Sequence, residues 1–540
     1  MLTLPLEPTD DRANPIFKDA KSCAQWLAQL QLTNLQLAHS LLLTQLNELT
    51  RYPMRGLERL NTLELLRDTV HHVQNDYTKK LIAKPLPLDE NELVIFFAIV
   101  QLWQAMGVGY QRCLQSSMTG DKQLDTQTAL LCQRCLLYRG LEITQHLRTG
   151  YEFDTRLWHQ LHELYAYSEE QGLHATEVPD PLNSKISRSS CHIIYVKTLL
   201  TCHARPAELS RSQLRLLDIW LDQWSSTIAI ERNYSLSKGD AKPLALDLAS
   251  KHGLQPVKLV KHGDNIRYVA MVPLSKLLRV KMILLQQGQT PQQLDLGNYS
   301  NRNDCVDFLT FVHHCWCEES VTRFGLRNQS SMHAQICFKP ENIYANLSVQ
   351  AFIQTAQSAV INKIAQQQIE SFGRVLQSAP KQPSAKSGHA LEMWHLENES
   401  IVGAKLTRVN QLGVRVNHNQ LVAVRIGDAE TFVLATTAWA RVTRTGQLQI
   451  GVRYLPGEAE AVRISATGVN TAAKDKHIPA FLLQAIPAMK IPPSLVIPRD
   501  WFQSGRVLEI VSQNAEKQRV QMNFSVEFGI DYERVSFIPE

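Results

Sequence analysis

Apolar residues in the first 240 positions recur at three- and four-residue spacing, which is the period of an amphipathic helix. Asp154 and Ser210 stand where two of these runs begin, and short oxygen-bearing side chains at such positions cap free backbone N–H groups. Strand-like alternation is nearly absent, so we expect antiparallel helical hairpins joined by polar turns. The pattern predicts helices at 22–30, 35–49, 54–75, 90–114, 127–147, 155–170, 191–202 and 212–230.

The expected helical domain covers residues 1–240. Its segment 157–173, LWHQLHELYAYSEEQGL, resembles a tetratricopeptide-type helix pair, although the chain has no clean period of about 34 residues. We therefore interpret residues 1–240 as a TPR-like scaffold of helical hairpins. A protein is the expected partner of such a scaffold.

The pattern changes near residue 240. Residues 241–319 are interpreted as a mixed α/β bridging module, with strands at 244–248 and 265–272 followed by two helices. From 320 to 465 short strands dominate, in the rhythm of a small antiparallel barrel, and strands are predicted at 332–338, 390–396, 402–408, 413–416, 421–426, 432–442 and 447–455. A helical stretch and the linker 378–388 (SAPKQPSAKSG) interrupt these strands, giving an expected insertion at 345–388.

Residues 466–540 form the last expected domain. Their strand-like runs at 481–486, 494–497, 507–511 and 520–526 predict a β-rich C-terminal extension, either a second β module or a continuation of the first barrel. The expected fold class is therefore α+β and multidomain. An all-α N-terminal half is followed by a small antiparallel β-barrel and this extension.

Composition and charge exclude several classes of protein. The chain carries 56 Lys and Arg against 51 Asp and Glu, a net charge of +5, so no binding of a nucleic-acid polymer is expected. Residues 93–110 approach membrane length, but they contain Gln101 and Gln104, and we expect a buried core helix rather than membrane insertion. The ten scattered cysteines and the lack of an apolar leader predict reduced thiols and a cytoplasmic location.

Two short motifs in the barrel region could bind a ligand. Arg323 and Arg327 are four residues apart before a predicted strand, and two guanidinium groups can grip phosphates and stack on bases. Asn398, Ser400 and Gly403 lie at the join of two later strands. Asn and Ser supply compact hydrogen-bonding groups there, and Gly permits close approach of a backbone. Taken singly, each motif is also typical of an ordinary surface turn.

Together, the RxxxR pair and the Asn-x-Ser-x-x-Gly segment resemble the PilZ domain, a bacterial receptor for the second messenger cyclic di-GMP. The strands 439–444 and 448–455 are similar to the closing strands of that family. The resemblance covers residues 320–465 only. It implies that Arg323 and Arg327 clamp the phosphates and guanines, that Asn398 and Ser400 bind a guanine edge, and that Gly403 shapes the turn.

The spacing of the two motifs departs from the PilZ pattern, in which about 20 to 30 residues separate them. Here residues 328–397 lie between them, which we interpret as an insertion after the first barrel strand. A competing placement starts the domain at Arg374, which has no partner arginine at Ser378. Under that placement the barrel is degenerate, and the chain is a non-catalytic adaptor that does not bind the nucleotide.

The other candidate sites have simpler interpretations. Cys132 and Cys135 have metal-type spacing but lie inside a helical pattern, where packing in the core is expected. His313 and Cys317 are one helical turn apart, without obvious further ligands. The sequence contains no Gly-rich phosphate loop, GxSxG or HExxH. We therefore expect no metal, no cofactor and no enzyme activity, and cyclic di-GMP as the ligand.

Overall fold

The computed structural model describes residues 2–4, 8–82, 84–182, 187–298, 302–318, 328–329, 332–348, 391–410, 412–429, 431–467 and 477–540. The chain forms two compact units. The first comprises Met1–Lys84 and Leu88–Val321, and the second comprises Pro85–Pro87 and Thr322–Glu540. Residues 241–319 therefore pack within the same unit as the N-terminal helices.

The first unit is mainly helical, as the apolar periodicity predicts. Asp19, Asp89 and Ser210 each cap a helix through a side-chain oxygen. The segment that resembles a helix pair forms one helix up to Glu170, followed by a turn. The helices are α1 (Ala20–Gln29), α2 (Leu35–Arg51), α3 (Gly56–Lys79), α4 (Glu90–Met118), α5 (Thr128–Thr149), α6 (Arg156–Glu170), α7 (Cys191–His203), α8 (Arg211–Trp224), α9 (Val272–Gln286) and α10 (Arg302–Cys317).

Short strands accompany these helices. The expected strands at 244–248 and 265–272 are present as β4 (Leu244–Asp247) and β6 (Ile266–Val269), which pair in antiparallel orientation. The strands of this unit are β1 (Val178–Pro179), β2 (Arg188–Ser189), β3 (Ile230–Glu231), β4 (Leu244–Asp247), β5 (Gln255–Pro256) and β6 (Ile266–Val269).

Helix α4 is the one described helix that is long and apolar enough to cross a membrane, and half of its most apolar window is buried. Phe96, Trp103 and Tyr110 lie on its buried side. It packs against α2, α3 and α5. These contacts are those of a helix in the core of a bundle.

A buried ionic network lies in the core of the helical unit. Arg134 is 1% exposed and donates to both carboxylate oxygens of Glu64, at 2.9 and 3.0 Å. Arg67 donates to Asp180 at 2.8 Å, and Tyr110 donates to Glu64 at 2.7 Å. Burial alone would raise the pKa of Glu64, but the hydrogen bonds and charges of Arg134 and Arg67 outweigh it and lower that pKa. The network therefore pairs the charges that the helices bury.

The second unit contains two β-barrels, so the expected fold class is confirmed. In the first barrel β8, β11, β12, β13, β10 and β9 are antiparallel neighbours in that order, and the pairing of β9 with β8 closes the ring. The strands are β7 (Asn328–Gln329), β8 (His333–Phe338), β9 (Leu391–Ser400), β10 (Gly403–Arg408), β11 (Leu421–Ile426), β12 (Val433–Val442) and β13 (Leu448–Tyr454). β8 and β9 are neighbours although residues 339–390 separate them in sequence.

The second barrel is a separate closed β module, one of the two alternatives for the C-terminal region. Its strand order is β14, β15, β16, β19, β18 and β17. The expected boundary at 465/466 falls at the end of its first strand. The strands are β14 (Ala459–Ala466), β15 (Ile478–Leu483), β16 (Ser494–Ile497), β17 (Val507–Val511), β18 (Lys517–Phe528) and β19 (Glu533–Pro539).

The two barrels share a hydrophobic core. A short helix, α11 (Pro340–Leu347), contributes Ile343 and Tyr344 to it. Leu421 and Leu434 of the first barrel and Phe481 of the second belong to the same buried cluster. The side chain of Asp531 also accepts a hydrogen bond from the backbone N–H of Leu421 at 2.9 Å. The barrels therefore pack as one body.

The predicted strand 413–416 is wrong in the structure. Val416 makes only an isolated antiparallel bridge, and its partner is Leu86. The backbone N–H of each residue donates to the carbonyl of the other, at 2.7 and 2.8 Å. Arg415 adds a hydrogen bond to the carbonyl of Pro85 at 2.9 Å. The segment Pro85–Pro87 belongs to the second unit for this reason.

Candidate ligand site on the first barrel

The turn between β9 and β10 carries the second sequence motif. Asn398 and Ser400 end β9, and Gly403 begins β10 opposite Ser400. The Ser400 hydroxyl donates to the carbonyl of Gly403 at 3.1 Å and closes the turn. Ile401 at its tip is 89% exposed. The motif therefore forms a tight and accessible hairpin end.

Gly403 is required by close packing of two strands. A Cβ atom at this position would lie 2.1 Å from the carbonyl oxygen of Val452 on β13. No side chain fits at that separation, so only glycine lets β10 approach β13 here. This geometry agrees with the sequence interpretation that the glycine permits close approach of a backbone.

The chain that follows the arginine motif lies beside this hairpin. β7 pairs with β9, with Asn328 opposite Glu399 and Gln329 opposite Asn398. Arg323 and Arg327 themselves lie outside the described residues, as does Arg374 of the competing placement. The residue that directly follows Arg327 is therefore adjacent in the sheet to the strand of Asn398 and Ser400.

The outer face of the barrel continues from Asn398 across three further strands. Asn398 pairs with Lys405, Lys405 with Gly451, and Gly451 with Trp439. A Cβ atom on Gly451 would lie 2.1 Å from Nε1 of Trp439. The indole therefore lies across the glycine. A flat aromatic surface beside polar side chains is suited to stacking with a base.

Arg441 extends this face. Its guanidinium carbon is 5.7 Å from the centre of the Trp439 ring, and its Nε donates to Gln449 Oε1 at 2.9 Å. Arg441 and Trp439 are both half-buried. Since an arginine beside an indole is favourable for a planar, negatively charged ligand, this pair adds to the binding potential of the face.

Carboxylates near the hairpin are already paired. Glu397 accepts hydrogen bonds from Lys405, Thr407 and Gln449, the last at 2.7 Å. Burial would raise its pKa, but the bonds from Lys405 and Thr407 outweigh burial and lower it. Glu399 accepts from the Tyr454 hydroxyl at 2.9 Å, and burial together with this carboxylate raises the pKa of Tyr454. These pairings reduce the repulsion that an anionic ligand would meet.

Sequence reasoning did not assign Lys405, Trp439 or Arg441 to the site. The available signal was Gly451, an isolated glycine inside the apolar strand β13. Such a glycine often marks the close approach of another group, and here that group is the Trp439 indole. The cross-strand register that aligns these residues is not readable from one strand alone.

The cysteine and histidine candidates for a metal site lie in surroundings typical of structural residues. Burial raises the pKa of the Cys132 and Cys135 thiols in α5, so both remain protonated. Nε2 of His313 lies 3.0 Å from the Ser275 hydroxyl, and its Nδ1 lies 3.2 Å from Glu318. Among the described residues, no three His, Cys, Asp or Glu side chains are grouped to hold a metal ion.

Comparisons with known proteins match both ends of the chain. Residues 21–234 match the family model "Cyclic-di-GMP receptor FimW, N-terminal domain", and residues 464–539 match "FimW C-terminal beta-barrel domain". The cyclic-di-GMP receptor FimW of Pseudomonas aeruginosa is 22% identical over 574 aligned positions, which cover 96% of this chain and 90% of that protein. The chain is similar to FimW along nearly its whole length. The expected resemblance to the PilZ domain was limited to residues 320–465, whereas the similarity to FimW includes the helical half.

Proposed function

We propose that this protein is a cyclic di-GMP receptor and that a PilZ-like first barrel binds the nucleotide on its outer face. The observation that carries the proposal is the pairing of β7 with β9, because it joins the chain after Arg327 to the Asn398–Gly403 hairpin. The similarity to the cyclic-di-GMP receptor FimW supports the same ligand.

The chemistry of the proposed site suits this ligand. Cyclic di-GMP carries two phosphodiester charges and two guanines with large π faces. Arg323 and Arg327 would grip the phosphates and stack on the guanines. Asn398 and Ser400 would hydrogen-bond a guanine edge, and Trp439 would stack on a second face. Charge-assisted hydrogen bonds are worth roughly 1.5–3 kcal/mol each, so a few of them account for micromolar affinity, about −8 kcal/mol.

The proposed mechanism is a shift between two conformations of the arginine segment, without catalysis. Ligand closes residues 321–331 onto the barrel, because only the closed form completes the site. The closed form then changes how a cytoplasmic protein partner binds the helical unit. No resident cofactor or metal takes part in this mechanism.

Calorimetric titration of the full chain with cyclic di-GMP tests the proposal. The parent should bind with about micromolar affinity, and the double variant Arg323→Ala, Arg327→Ala should lose at least about tenfold. Arg519→Ala, an exposed arginine of the second barrel, is the matched control and should bind like the parent. A parent that gives no binding heat and no ligand-induced stabilisation would refute the proposal and favour the adaptor with a degenerate barrel.

A further inference from the structure

The surface of the helical unit contains a groove that crosses α4. A hollow of about 470 Å³ lies between α2 and α4, and a second of about 440 Å³ lies between α4, α5 and the start of α6. Both hollows are lined by Gln104 and Val108, so they adjoin along this side of α4. The groove is distant in sequence from the barrel motifs, and no described residue of the proposed nucleotide site lines it.

The charges in the groove are internally neutralised. Arg51 is paired with Glu48 and Asp10, Arg139 with Glu142, and Arg156 with Asp154. Burial lowers the pKa of His146, which is therefore neutral at pH 7. A polyanion such as nucleic acid needs unpaired cations, and the groove lining does not provide them among these side chains. The occupant that fits is nearly uncharged.

Primary amides make up half of the remaining side chains of the lining. A carboxamide presents both a donor and an acceptor, which matches the N–H and C=O of a peptide bond. Leu43, Val108 and Leu157 provide apolar contacts between the amides. The amide residues of the groove are Asn47, Gln101, Gln104, Gln111 and Gln160.

We infer that this groove binds an extended, nearly uncharged segment of a partner polypeptide. The amides bind its backbone, and the apolar contacts receive alternate side chains. An extended chain advances about 3.3 Å per residue, with side chains on alternate sides, so backbone and side chains can be bound at once.

A phage-displayed library of random peptides about twelve residues long, roughly 40 Å when extended, tests this inference on the full chain. Enriched peptides are synthesised with a fluorescent label, and their binding is measured by anisotropy. Val108→Arg, where the two hollows adjoin, should weaken binding by about tenfold or more. Gln101 is exposed, so Gln101→Arg should also weaken peptide binding without affecting folding. Gln115→Arg, exposed on α4 but outside the groove, should bind peptides like the parent.

The outcomes that support the inference differ from those that overturn it. Peptides rich in apolar and amide side chains that bind the parent and lose affinity in both groove variants would support the inference. It is overturned if the parent enriches no peptide, if the enriched peptides are strongly charged, or if they bind the groove variants as well as they bind the parent. Cyclic di-GMP binding should be equal in all four proteins, which keeps this test separate from that of the barrel.

Discussion

Asn328 lies opposite Glu399 in the antiparallel pairing of β7 with β9. Residues 329–398 separate these two positions in sequence, and the sheet brings them to neighbouring strands. The hairpin of Asn398 and the chain next to Arg327 therefore share one edge of the barrel. A sequence spacing that departs from the PilZ pattern is thus compatible with a PilZ-like arrangement of the motifs.

Hydrogen exchange should detect closure of the arginine segment. We expect amides of residues 321–331 to exchange about tenfold more slowly with saturating cyclic di-GMP, because ligand binding stabilises the closed conformation. Amides of β4 and β6, in the other unit, serve as the internal reference. Equal protection of 321–331 with and without nucleotide would contradict the proposed mechanism.

Replacement of Trp439 by Leu should weaken cyclic di-GMP binding about tenfold, since stacking on an aromatic ring is worth roughly 1–3 kcal/mol per base. Trp439→Phe should retain most of the affinity. Trp501→Leu is a matched control, because Trp501 also has an arginine, Arg506, 5.7 Å from its ring. Calorimetry measures the affinity of all three variants. An equal loss of affinity in Trp501→Leu would show that the loss in Trp439→Leu results from lower stability and not from lost stacking.

Gly403→Ala should destabilise the barrels by roughly 1–3 kcal/mol, because the new Cβ would clash with the Val452 carbonyl. Urea unfolding followed by fluorescence measures the change. Gly263→Ala is the comparison, since no atom lies within 4 Å of a Cβ built there. Equal unfolding midpoints for parent and Gly403→Ala would show that β10 and β13 are not as close as described.

His162 should make the helical unit sensitive to acid. Burial lowers its pKa from 6.5 to about 4, so the folded state holds it neutral while the unfolded chain takes up a proton below about pH 6.5. Stability should therefore fall by about 3 kcal/mol as the pH drops from 6.5 to 4. In His162→Gln the free energy of unfolding should depend less on pH across this range. His72→Gln, on the exposed side of α3, should keep the slope of the parent.

Helices of the N-terminal half were predictable because each carries its own periodic pattern, and α1, α2, α4, α7 and α8 also have a capping side chain. The strand at 413–416 was predicted wrongly because Val416 has its partner at Leu86, more than 300 residues away. The helical prediction 212–230 extends past the end of α8, because a short 3-10 turn follows Trp224. The local sequence pattern identifies neither the distant partner of Val416 nor the turn that ends α8.

Strand β19 was missed because polar residues occupy its buried positions. Arg534 and Ser536 are each at most 9% exposed, and Arg534 donates to Ser494 at 2.8 Å. Their burial hides the alternation that identifies a strand. For the candidate site, the motif residues Asn398, Ser400 and Gly403 were readable from sequence. Lys405 and Trp439 were not, because their alignment depends on the register of four strands.

The hydrophobic core that joins the barrels also constrains how such proteins can change over evolution. Phe481 and Val496 of the second barrel pack in the same cluster as Leu421 and Ala423 of the first. A gene that lost the C-terminal barrel would leave these apolar side chains of the first barrel open to water. Deleting the C-terminal barrel would therefore remove part of the core on which the first barrel depends.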